Sequence, residues 1–201
     1  MKYLGSKTIE TERLLLKAQT MEEQEYLWSV LMIPEVNQYY LTVPKKFSEK
    51  LKDWNLQKEY YQKEMEHANH LDVFKWSVFI KETGECIGRV TCQETKEEHP
   101  SIRDVGWYID PKYQGNGYGK EAAFAMMHYM FQECEIEEIR TGASIQNPAS
   151  WKIMEEFGME RQDQTKQIEY TYVDKPVEAY QYVLTKEKYW KNIQVDKSKK
   201  L

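Results

Sequence analysis

The sequence predicts a single α/β domain, in which helices pack against a central β-sheet. Segments with alternating apolar residues are interspersed along the chain with segments whose apolar residues recur every three or four positions. The length of 201 residues is one that a single hydrophobic core commonly spans. No internal repeat and no low-complexity linker divides the chain. We therefore expect one domain, covering residues 1–185, and a basic, solvated C-terminal tail over residues 186–201.

The composition indicates a soluble protein with a heavily charged surface. Hydrophobic residues make up 41% of the chain and charged residues 30%, with a formal net charge of −5. This acidity argues against a nucleic-acid partner, which would require a concentrated basic face. The sequence shows no apolar stretch of the roughly 18 residues that a membrane-spanning helix needs, and no secretory signal pattern. We expect a cytoplasmic protein without a membrane partner.

The first third of the chain reads as one strand followed by helices. The short apolar run in "TERLLLKAQT", residues 11–20, predicts the first strand. "MEEQEYLWSVLM", residues 21–32, places its apolar residues on one helical face. Two prolines bound a predicted linker over residues 34–44. Residues 47–67 are rich in Lys and Glu with apolar positions three or four apart, which predicts one amphipathic helix.

The middle of the chain changes to the period of a sheet. "KWSVFIKETGECIGRVTCQE", residues 75–94, alternates on both sides of Thr83 and Gly84 and predicts a hairpin of two strands. "RDVGWYIDP", residues 103–111, predicts a fourth strand. A glycine-rich loop then leads into "KEAAFAMMHYMFQ", residues 120–132, a helix whose apolar face packs on the sheet.

The last third continues the alternation of strands and helices. "IEEIRTGASI", residues 136–145, predicts a fifth strand. A helix should begin at Asn147, because Asn caps helices well and a proline follows it, and it should stop at Gly158. Two further strand candidates, in residues 159–173 and 177–185, flank the turn "DKP".

Cysteine and histidine usage gives no sign of a metal or disulfide site. Cys86, Cys92 and Cys134 are odd in number and have no metal-like spacing, so we interpret them as reduced thiols without a functional role. His67 and His70 are three residues apart, but no further ligands lie near them in sequence, so a surface pair is the favoured interpretation. We expect no metal.

The loop "YQGNGYGKEA" is the strongest functional signal. Glycine lets the backbone approach a ligand closely, and a helix start concentrates unpaired amides and positive dipole charge, so such a loop favours an anion and typically phosphate. A nucleotide P-loop is excluded because the spacing from Gly115 to Gly119 is one residue short and Glu121 occupies the hydroxyl position. A dinucleotide fingerprint is excluded by spacing as well.

Gln114-x-x-Gly117-x-Gly119 resembles the pyrophosphate-binding segment of the GNAT (GCN5-related) N-acetyltransferases. The resemblance continues in chain order over nearly the whole sequence, through "TERLLLKA", "WSVFIKETGECIGRV", "DVGWYIDPKYQGNGYGKEA" and "NPASWKIMEEFGME". The "TERLxL" opening and the Asn-x-x-Ser helix start are similar to the RimJ/RimL-like branch, whose members acetylate N-termini of ribosomal proteins. The resemblance implies a mixed sheet of about six to seven strands, splayed between strands four and five and flanked by about four helices.

The resemblance also implies that acetyl-coenzyme A is the co-substrate. The residues expected to face its pyrophosphate are Gln114, Gly115, Gly117, Gly119 and Lys120. Tyr108 and Ile109 are expected to pair their backbone with the pantetheine arm where the strands diverge. Asn147 matches the position whose side chain meets that arm, with a plain helix cap as the alternative.

Catalysis in the family requires deprotonation of an amine and protonation of the leaving thiolate. Many members use a tyrosine seven residues after the asparagine, and this chain has Met154 there. Ser150 matches the serine of the RimL-like pattern and is our candidate for hydrogen bonding the coenzyme sulfur, although a capping role is the alternative. For the base we select Glu94, at the end of the third strand, where partial burial would raise its pKa. Neighbouring Glu97, Glu98 and His99, or a water relay, stay open.

The acceptor cannot be read from a motif. Tyr39 and Tyr40 fall where the family's acceptor-covering loop lies, so they are expected to line the substrate mouth or to pack beneath it. The expected reaction is acetyl transfer to a primary amine, either a protein N-terminus of the ribosomal-protein-alanine type or a small amine such as an aminoglycoside or polyamine. A non-catalytic acyl-coenzyme A-binding module is the competing class, and homodimerisation stays open.

Overall fold

The structure is a computed structural model that describes residues 1–95 and 99–198. A nine-stranded mixed sheet runs through these residues in the order β1-β2-β3-β4-β5-β6-β9-β7, with β8 also paired to β9. The strands are β1 Ile9–Glu10, β2 Leu14–Ala18, β3 Lys75–Ile80, β4 Cys86–Glu94, β5 Ile102–Ile109, β6 Glu138–Ser144, β7 Glu160–Arg161, β8 Lys166–Ile168 and β9 Val177–Thr185. The helices are α1 Gln24–Leu31, α2 Pro34–Asn37, α3 Ser48–Lys52, α4 Trp54–Met65, α5 Tyr118–Gln132, α6 Pro148–Glu156 and α7 Lys186–Ser198.

The sheet confirms the predicted α/β architecture and its splay. Every pair of neighbouring strands is antiparallel except β5 and β6, which pair in parallel only at Ile102–Glu138 and Arg103–Ile139. Beyond those two pairs the strands diverge, although β5 runs on to Ile109 and β6 to Ser144. The result is a wedge that opens toward the carboxyl ends of both strands. Six strands have five or more residues, and the additional three are two or three residues long.

Two predicted elements differ from the structure in the first third. The linker at residues 34–44 contains α2, which starts with Pro34 at a position that suits proline. The single helix predicted over residues 47–67 is divided into α3 and α4 at Asp53. That residue has an extended backbone, and its carboxylate accepts a hydrogen bond from the Asn55 amide at 2.9 Å, which caps α4. Local capping therefore overrides the amphipathic periodicity.

The region predicted as a solvated tail is helical in its described part. Helix α7 continues directly from β9, and Tyr189 on its first turns is only 2% exposed. The Tyr189 ring stacks on Phe131 with ring centroids 4.5 Å apart, and its hydroxyl bonds Nδ1 of His128 at 2.8 Å. The interpretation of residues 186–201 as a tail is thus corrected for this helix, because the tyrosine completes the core beneath α5. Residues 199–201 lie outside the described part of the chain.

The sheet separates two apolar layers. On one face α5, α6 and α7 cover a large core that includes Met126, Met127 and Met154. On the other face α1 packs over Tyr108 through Leu27 and other apolar side chains. Alternation along β5 decides which face each residue joins: Val105 and Ile109 enter the large core, whereas Tyr108 lies under α1.

Candidate active site

A cleft of 2260 Å³ runs through the wedge between β5 and β6 and extends beneath α2 and α4. Every residue that the sequence selected for the site lines it, in the cofactor, catalytic and acceptor groups alike: Tyr39, Tyr40, Glu94, Tyr108, Ile109, Gln114, Gly115, Gly117, Gly119, Lys120, Asn147 and Ser150. The topology therefore brings together segments that are more than a hundred residues apart in the chain. Lining the cleft does not by itself assign a role, and the contacts described below distinguish the residues.

The glycine loop has the geometry of an anion-binding helix start. Gly115 and Gly117 have φ values of +79° and +80°, which residues with a Cβ rarely adopt. Gly117 caps α5, and the first amide with a backbone acceptor in the helix is that of Glu121, which bonds the Gly117 carbonyl at 3.0 Å. Within the described residues, the amides of Gly117, Tyr118, Gly119 and Lys120 donate to no protein acceptor, so they stay available to a ligand.

The "TER" segment before β2 fixes this loop in place. The Arg13 guanidinium pairs with Glu121 in the first turn of α5, with 2.7 Å between Nε and Oε2, and donates to the Asn116 carbonyl at 2.9 Å. The Arg13 amide and the Thr11 hydroxyl donate to the other Glu121 oxygen at 2.9 and 2.6 Å. Arg13 also stacks on the Tyr118 ring at 4.7 Å. The motif thus holds the loop from outside, a role that the sequence analysis did not identify.

We expect Glu121→Gln to lower stability in a pH-dependent manner. Burial opposes ionisation of Glu121, but hydrogen bonds from Thr11 and Arg13 and the Arg13 charge hold its pKa below the ordinary value of 4.5. A carboxyl group with a lowered folded-state pKa stabilises the fold above pH 4.5, and this contribution is lost as the pH falls through the folded-state pKa. Because the pair is half exposed, the loss at pH 7 should be about 1 kcal/mol, or roughly 2–4 °C in melting temperature.

Thermal unfolding of both proteins at pH 7 and at pH 3 checks this expectation. The two melting temperatures should differ at pH 7, and the difference should be smaller at pH 3, where Glu121 is closer to protonation. Glu133→Gln is the control, because Glu133 is the exposed residue that follows α5 and lies far from Thr11 and Arg13. This variant should match the wild type at both pH values. A difference for Glu121→Gln that is the same at both pH values would contradict the ion-pair explanation.

Strand pairing shows which backbone groups of β5 face the wedge. The Asp110 amide bonds the Ile87 carbonyl at 2.8 Å, so these two residues form a hydrogen-bonded pair of the β4–β5 ladder. Such pairs alternate in an antiparallel ladder, which directs the backbone of Tyr108 toward β4 and that of Trp107 and Ile109 toward the wedge. A Cβ on Gly88 of β4 would meet the Tyr108 carbonyl at 2.3 Å, in agreement with this direction.

The backbone role expected for Tyr108 therefore passes to Trp107. The Tyr108 side chain is also turned away from the wedge, since its hydroxyl donates to the Leu27 carbonyl of α1 at 3.2 Å. The Ile109 carbonyl accepts the side-chain amide of Gln114 at 2.8 Å, which leaves its amide directed into the wedge. Sequence alternation alone could have separated Trp107 from Tyr108, but only the pairing with β4 tells which of them is free.

The opposite wall of the wedge is the backbone of β6. The Ile145 amide bonds the Glu178 carbonyl at 3.0 Å, so alternation directs the backbone of Gly142 away from β9 and into the wedge. The wedge closes where the Thr141 hydroxyl donates to the Val105 carbonyl at 3.0 Å. The gap is thus lined by unpaired strand backbone down to that hydrogen bond.

Asn147 and Ser150 lie at the start of α6, at the edge of the wedge. Asn147 is the N-cap residue of α6, but its side chain makes no capping hydrogen bond in the described residues, which argues against a plain cap for Asn147. Within the described residues, neither the Asn147 amide nor the Ser150 hydroxyl has a side-chain hydrogen bond to protein. Met154, at the position where many relatives have tyrosine, is 2% exposed and belongs to the core as well as to the cleft wall.

Lys120 and the two tyrosines after α2 have partners that define their place. The Lys120 ammonium pairs with Glu156 of α6 and lies over the Phe124 ring at 5.6 Å. Tyr39 meets Tyr170 edge to face, with centroids 6.4 Å apart. Tyr40 meets Tyr108 in the same way at 4.9 Å. A Cβ on Gly106 would lie 3.5 Å from the Tyr40 ring, so this ring covers β5 directly and both packs and lines the cleft.

The position of Glu94 differs from the partial burial that the sequence analysis expected for it. Glu94 is 57% exposed, and its carboxylate lies 3.4 Å from the buried Arg103 guanidinium, its partner in the β4–β5 register. It therefore belongs to the sheet face opposite Tyr108, and the partial burial expected for it is not found. His99 bonds the Ser101 hydroxyl at 2.7 Å, and Glu97 and Glu98 lie outside the described residues.

Asp104 is a carboxylate that the sequence analysis missed. It alternates with Gly106 and Tyr108 on the α1 side of β5 and lines the cleft next to the point where Thr141 closes the wedge. Burial raises the pKa of Asp104 above its ordinary value of 3.8, although hydrogen bonds from Thr141 and the Val105 amide lower it in part. The signal was present in "RDVGWYI", because Asp104 is in phase with a glycine and out of phase with buried Val105 and Ile109.

Thiols and histidines form no further site in the described part of the chain. Cys86, Cys92 and Cys134 are free, and burial raises the thiol pKa of Cys86 to about 12 and of Cys134 to about 11. His67 and His70 contact each other edge to face. Residues 1–95 and 99–198 contain no cluster of three or more His, Cys, Asp or Glu suited to a metal ion. None of the described helices is long and apolar enough to cross a lipid bilayer.

A splayed sheet whose wedge meets a glycine-capped helix defines a class of acyl-coenzyme A-dependent enzymes. Residues 13–160 match the family model described as an acetyltransferase (GNAT) domain. The chain belongs to the GNAT acetyltransferases and is an acetyl-coenzyme A-dependent acyltransferase.

Individual relatives agree with this assignment. The chain is 31% identical over 88 residues to the uncharacterized N-acetyltransferase YnaD of Bacillus subtilis (strain 168), a match that spans 44% of this chain and about half, 51%, of that protein. It resembles the structure of RimL, a ribosomal L7/L12 α-N-protein acetyltransferase in complex with coenzyme A, with a TM-score of 0.73 and 15% identity over 89% of this chain and 98% of the other. The chain also resembles the structure of spermidine N-acetyltransferase from Vibrio cholerae in complex with coenzyme A and spermine. The TM-score is 0.72 and the identity 18%, over 90% of this chain and 99% of the other. The predicted RimJ/RimL-like relatives are thus among the structures that share this fold.

Proposed function

We propose that this enzyme transfers the acetyl group of acetyl-coenzyme A to the α-amine of a peptide or protein N-terminus. The observation that carries the proposal is the wedge itself, which connects the free amides of α5 to Ser150 and to Asp104 in one continuous cleft. The non-catalytic alternative is set aside, because the chain belongs to a family of acyltransferases.

The residues present fit acetyl-coenzyme A. The amides of residues 117–120 supply four donors at the positive end of α5 for a pyrophosphate. The backbone of Trp107, the Ile109 amide and the Gly142 backbone would bond the amides of a pantetheine arm, because all face the wedge without a strand partner. Gln114 acts indirectly in this proposal, by holding the loop through the Ile109 carbonyl.

Two side chains of the chain, Asp104 and Ser150, would serve the transfer itself. Acetyl-coenzyme A supplies an activated acyl group as a thioester. Asp104 accepts the proton of the acceptor ammonium, so that the neutral amine forms the new N–C bond as the C–S bond breaks. Ser150 donates a hydrogen bond to the departing sulfur. The nitrogen loses its second proton to solvent as the amide forms, and the thiolate takes up one proton from solvent. Glu94 stays a prediction for the base, although its exposure and its pairing with Arg103 make it the weaker candidate.

The charge balance of the cleft favours a peptide over a polycation. Six acidic and six basic side chains of the described residues line it: Glu35, Glu64, Glu94, Asp104, Glu138 and Asp163, and Lys50, Lys75, Arg89, Lys120, Arg140 and Lys166. A polyamine carries several positive charges and gains little from such a balanced surface, whereas one α-ammonium needs a single carboxylate.

An acceptor panel tests this proposal. Release of free coenzyme A thiol would be measured with hexapeptides beginning with Ala, Ser or Met, with spermidine and spermine, and with an aminoglycoside. We expect turnover with at least one peptide, and mass spectrometry should place the acetyl group on its α-amine. Turnover restricted to the polyamines or the aminoglycoside would contradict the peptide proposal, and calorimetric binding of acetyl-coenzyme A but not ATP would separately check the wedge assignment.

We expect Ser150→Ala to lower kcat about 10-fold with little change in the Kd of acetyl-coenzyme A. The reason is that one hydrogen bond which strengthens at the transition state is worth about 1.4 kcal/mol. Steady-state kinetics and calorimetry check the two quantities. Lys152→Ala, on the exposed surface of α6 and not among the residues that line the cleft, is the control and should leave both unchanged. An unaltered kcat in the Ser150 variant would reduce Ser150 to a structural residue.

A further inference from the structure

Arg89 of β4 is a buried cation that the transfer reaction does not use. Only 8% of this residue is exposed, yet its side chain lines the cleft. It stands opposite Tyr108, on the sheet face that also carries Asp104. Its Nε is buried without a hydrogen-bond partner in the described residues.

The charged and polar groups that act on Arg89 are three tyrosines and one glutamate: Tyr108, Tyr40, Glu64 and Tyr61. The Glu64 carboxylate pairs with Lys75 through Oε1, and its buried Oε2 has no hydrogen-bond partner in the described residues. No carboxylate of the described residues reaches Arg89 within salt-bridge distance. Because a buried charge without a partner is costly, its presence in a substrate cleft points to a ligand that supplies the partner.

The position of the guanidinium relative to Asp104 gives the spacing of that ligand. Arg89 pairs with Tyr108, which is four residues from Asp104 along β5. Four residues of a strand span roughly 13 Å, and a long arginine side chain that leans toward Tyr40, above Gly106, shortens the distance between its guanidinium and Asp104. In an extended peptide such a shortened distance separates groups on the same or adjacent residues.

We propose that Arg89 binds a carboxylate of the acceptor, so that the preferred substrate is an amine whose first or second residue is acidic. This inference rests on the proposed peptide N-acetyltransferase function and specifies its substrate class. An arginine presents a planar fork that matches a carboxylate with two parallel hydrogen bonds, and Tyr40 and Tyr61 exclude water from the pair. A free acidic amino acid has the same chemistry at a shorter spacing and is the other source of the carboxylate.

The test compares hexapeptides that are identical except for Glu, Gln or Lys at position two, with free glutamate as a further arm. We expect the wild type to prefer Glu over Gln by about 10- to 100-fold in kcat/KM, expressed mainly in KM, as for a hydrogen-bonded charge pair. Arg89→Gln should bring this ratio close to one, and Arg89→Lys should retain part of it. If the wild type prefers free glutamate over the peptides and Arg89→Gln loses this preference, Arg89 still binds a carboxylate. The acceptor is then a free acidic amino acid.

Circular dichroism and the Kd of acetyl-coenzyme A establish that each variant is folded. If Arg89→Gln does not fold, the wild type and Arg89→Lys are compared by inhibition with glutarate. We expect glutarate to compete with the acceptor but not with acetyl-coenzyme A, and to inhibit the lysine variant more weakly than the wild type. Equal kcat/KM for the Glu and Gln peptides in the wild type would overturn the role of Arg89 while leaving peptide acetylation intact. Turnover with spermine and with no peptide would contradict the proposed function instead. In that case calorimetric titration with glutarate would test whether Arg89 binds a carboxylate, and absence of binding would overturn the inference.

Discussion

Gly117→Asp should abolish productive binding of acetyl-coenzyme A without unfolding the protein. Gly117 caps α5 at a φ of +80°, a conformation that Asp tolerates better than most residues, and a Cβ there would meet only the Arg13 guanidinium, at 3.4 Å. Asp is also a favourable cap with a charge that suits the helix dipole, which offsets the backbone strain. The same charge would lie beside the phosphate that the amides of residues 117–120 are expected to bind, with Arg13 on its other side. Like charges placed together cost several kcal/mol, so we expect Kd to rise about 100-fold or more.

Calorimetric titration and thermal unfolding separate the two effects. Gly117→Asn has the same shape without the charge and should weaken binding far less. Gly84→Asp carries the same charge at a φ of +73° in the hairpin turn between β3 and β4, with no atom within 4 Å of the added Cβ, and should bind as the wild type does. Unchanged affinity in a folded Gly117→Asp variant would contradict the assignment of the loop to the pyrophosphate.

Asp104→Asn should lower kcat/KM for the acceptor by about 100-fold or more, the contribution typical of a positioned base. The substitution keeps the shape and the hydrogen bonds with Thr141 and the Val105 amide, so the fold and the wedge should persist. Burial raises the Asp104 pKa above 3.8, so the wild-type rate should fall as the pH drops through that raised value and the carboxylate becomes protonated. The acid limb of the pH–rate profile should be absent in the variant.

Two controls distinguish this role from a structural one. Glu94→Gln, the residue that the sequence favoured, should change kcat/KM by no more than a few fold, because its carboxylate is 57% exposed and faces Arg103. The Kd of acetyl-coenzyme A should be unchanged in both variants. A large loss in Glu94→Gln with little effect of Asp104→Asn would reverse the assignment.

The sequence was sufficient for features that depend on local chemistry. The glycines at 115 and 117 predicted a bare helix start, which is found, with both residues at positive φ. Pro148 and Gly158 predicted the start and end of α6, which runs from Pro148 to Glu156. The predictions of one helix through Asp53 and of a tail that includes Tyr189 were wrong for two reasons. A cap can interrupt an amphipathic pattern, and a polar-looking segment is recruited into the core when a single aromatic side chain fills a space that other elements create.

Only the tertiary structure decided which groups of the site face one another. Strand alternation gives two sets of residues, but the hydrogen bond between Asp110 and Ile87 decides that Trp107, and not Tyr108, offers its backbone to the wedge. Pairing across β4 and β5 likewise places Glu94 with Arg103 and leaves Asp104 on the other face. The burial of Arg89 without a salt-bridged carboxylate among residues 1–95 and 99–198 depends on which side chains of distant segments surround it. The sequence by itself determined the bare helix start at the glycine loop, because a helix start and its free amides are local, whereas register and burial are relations between segments and exist only in the folded chain.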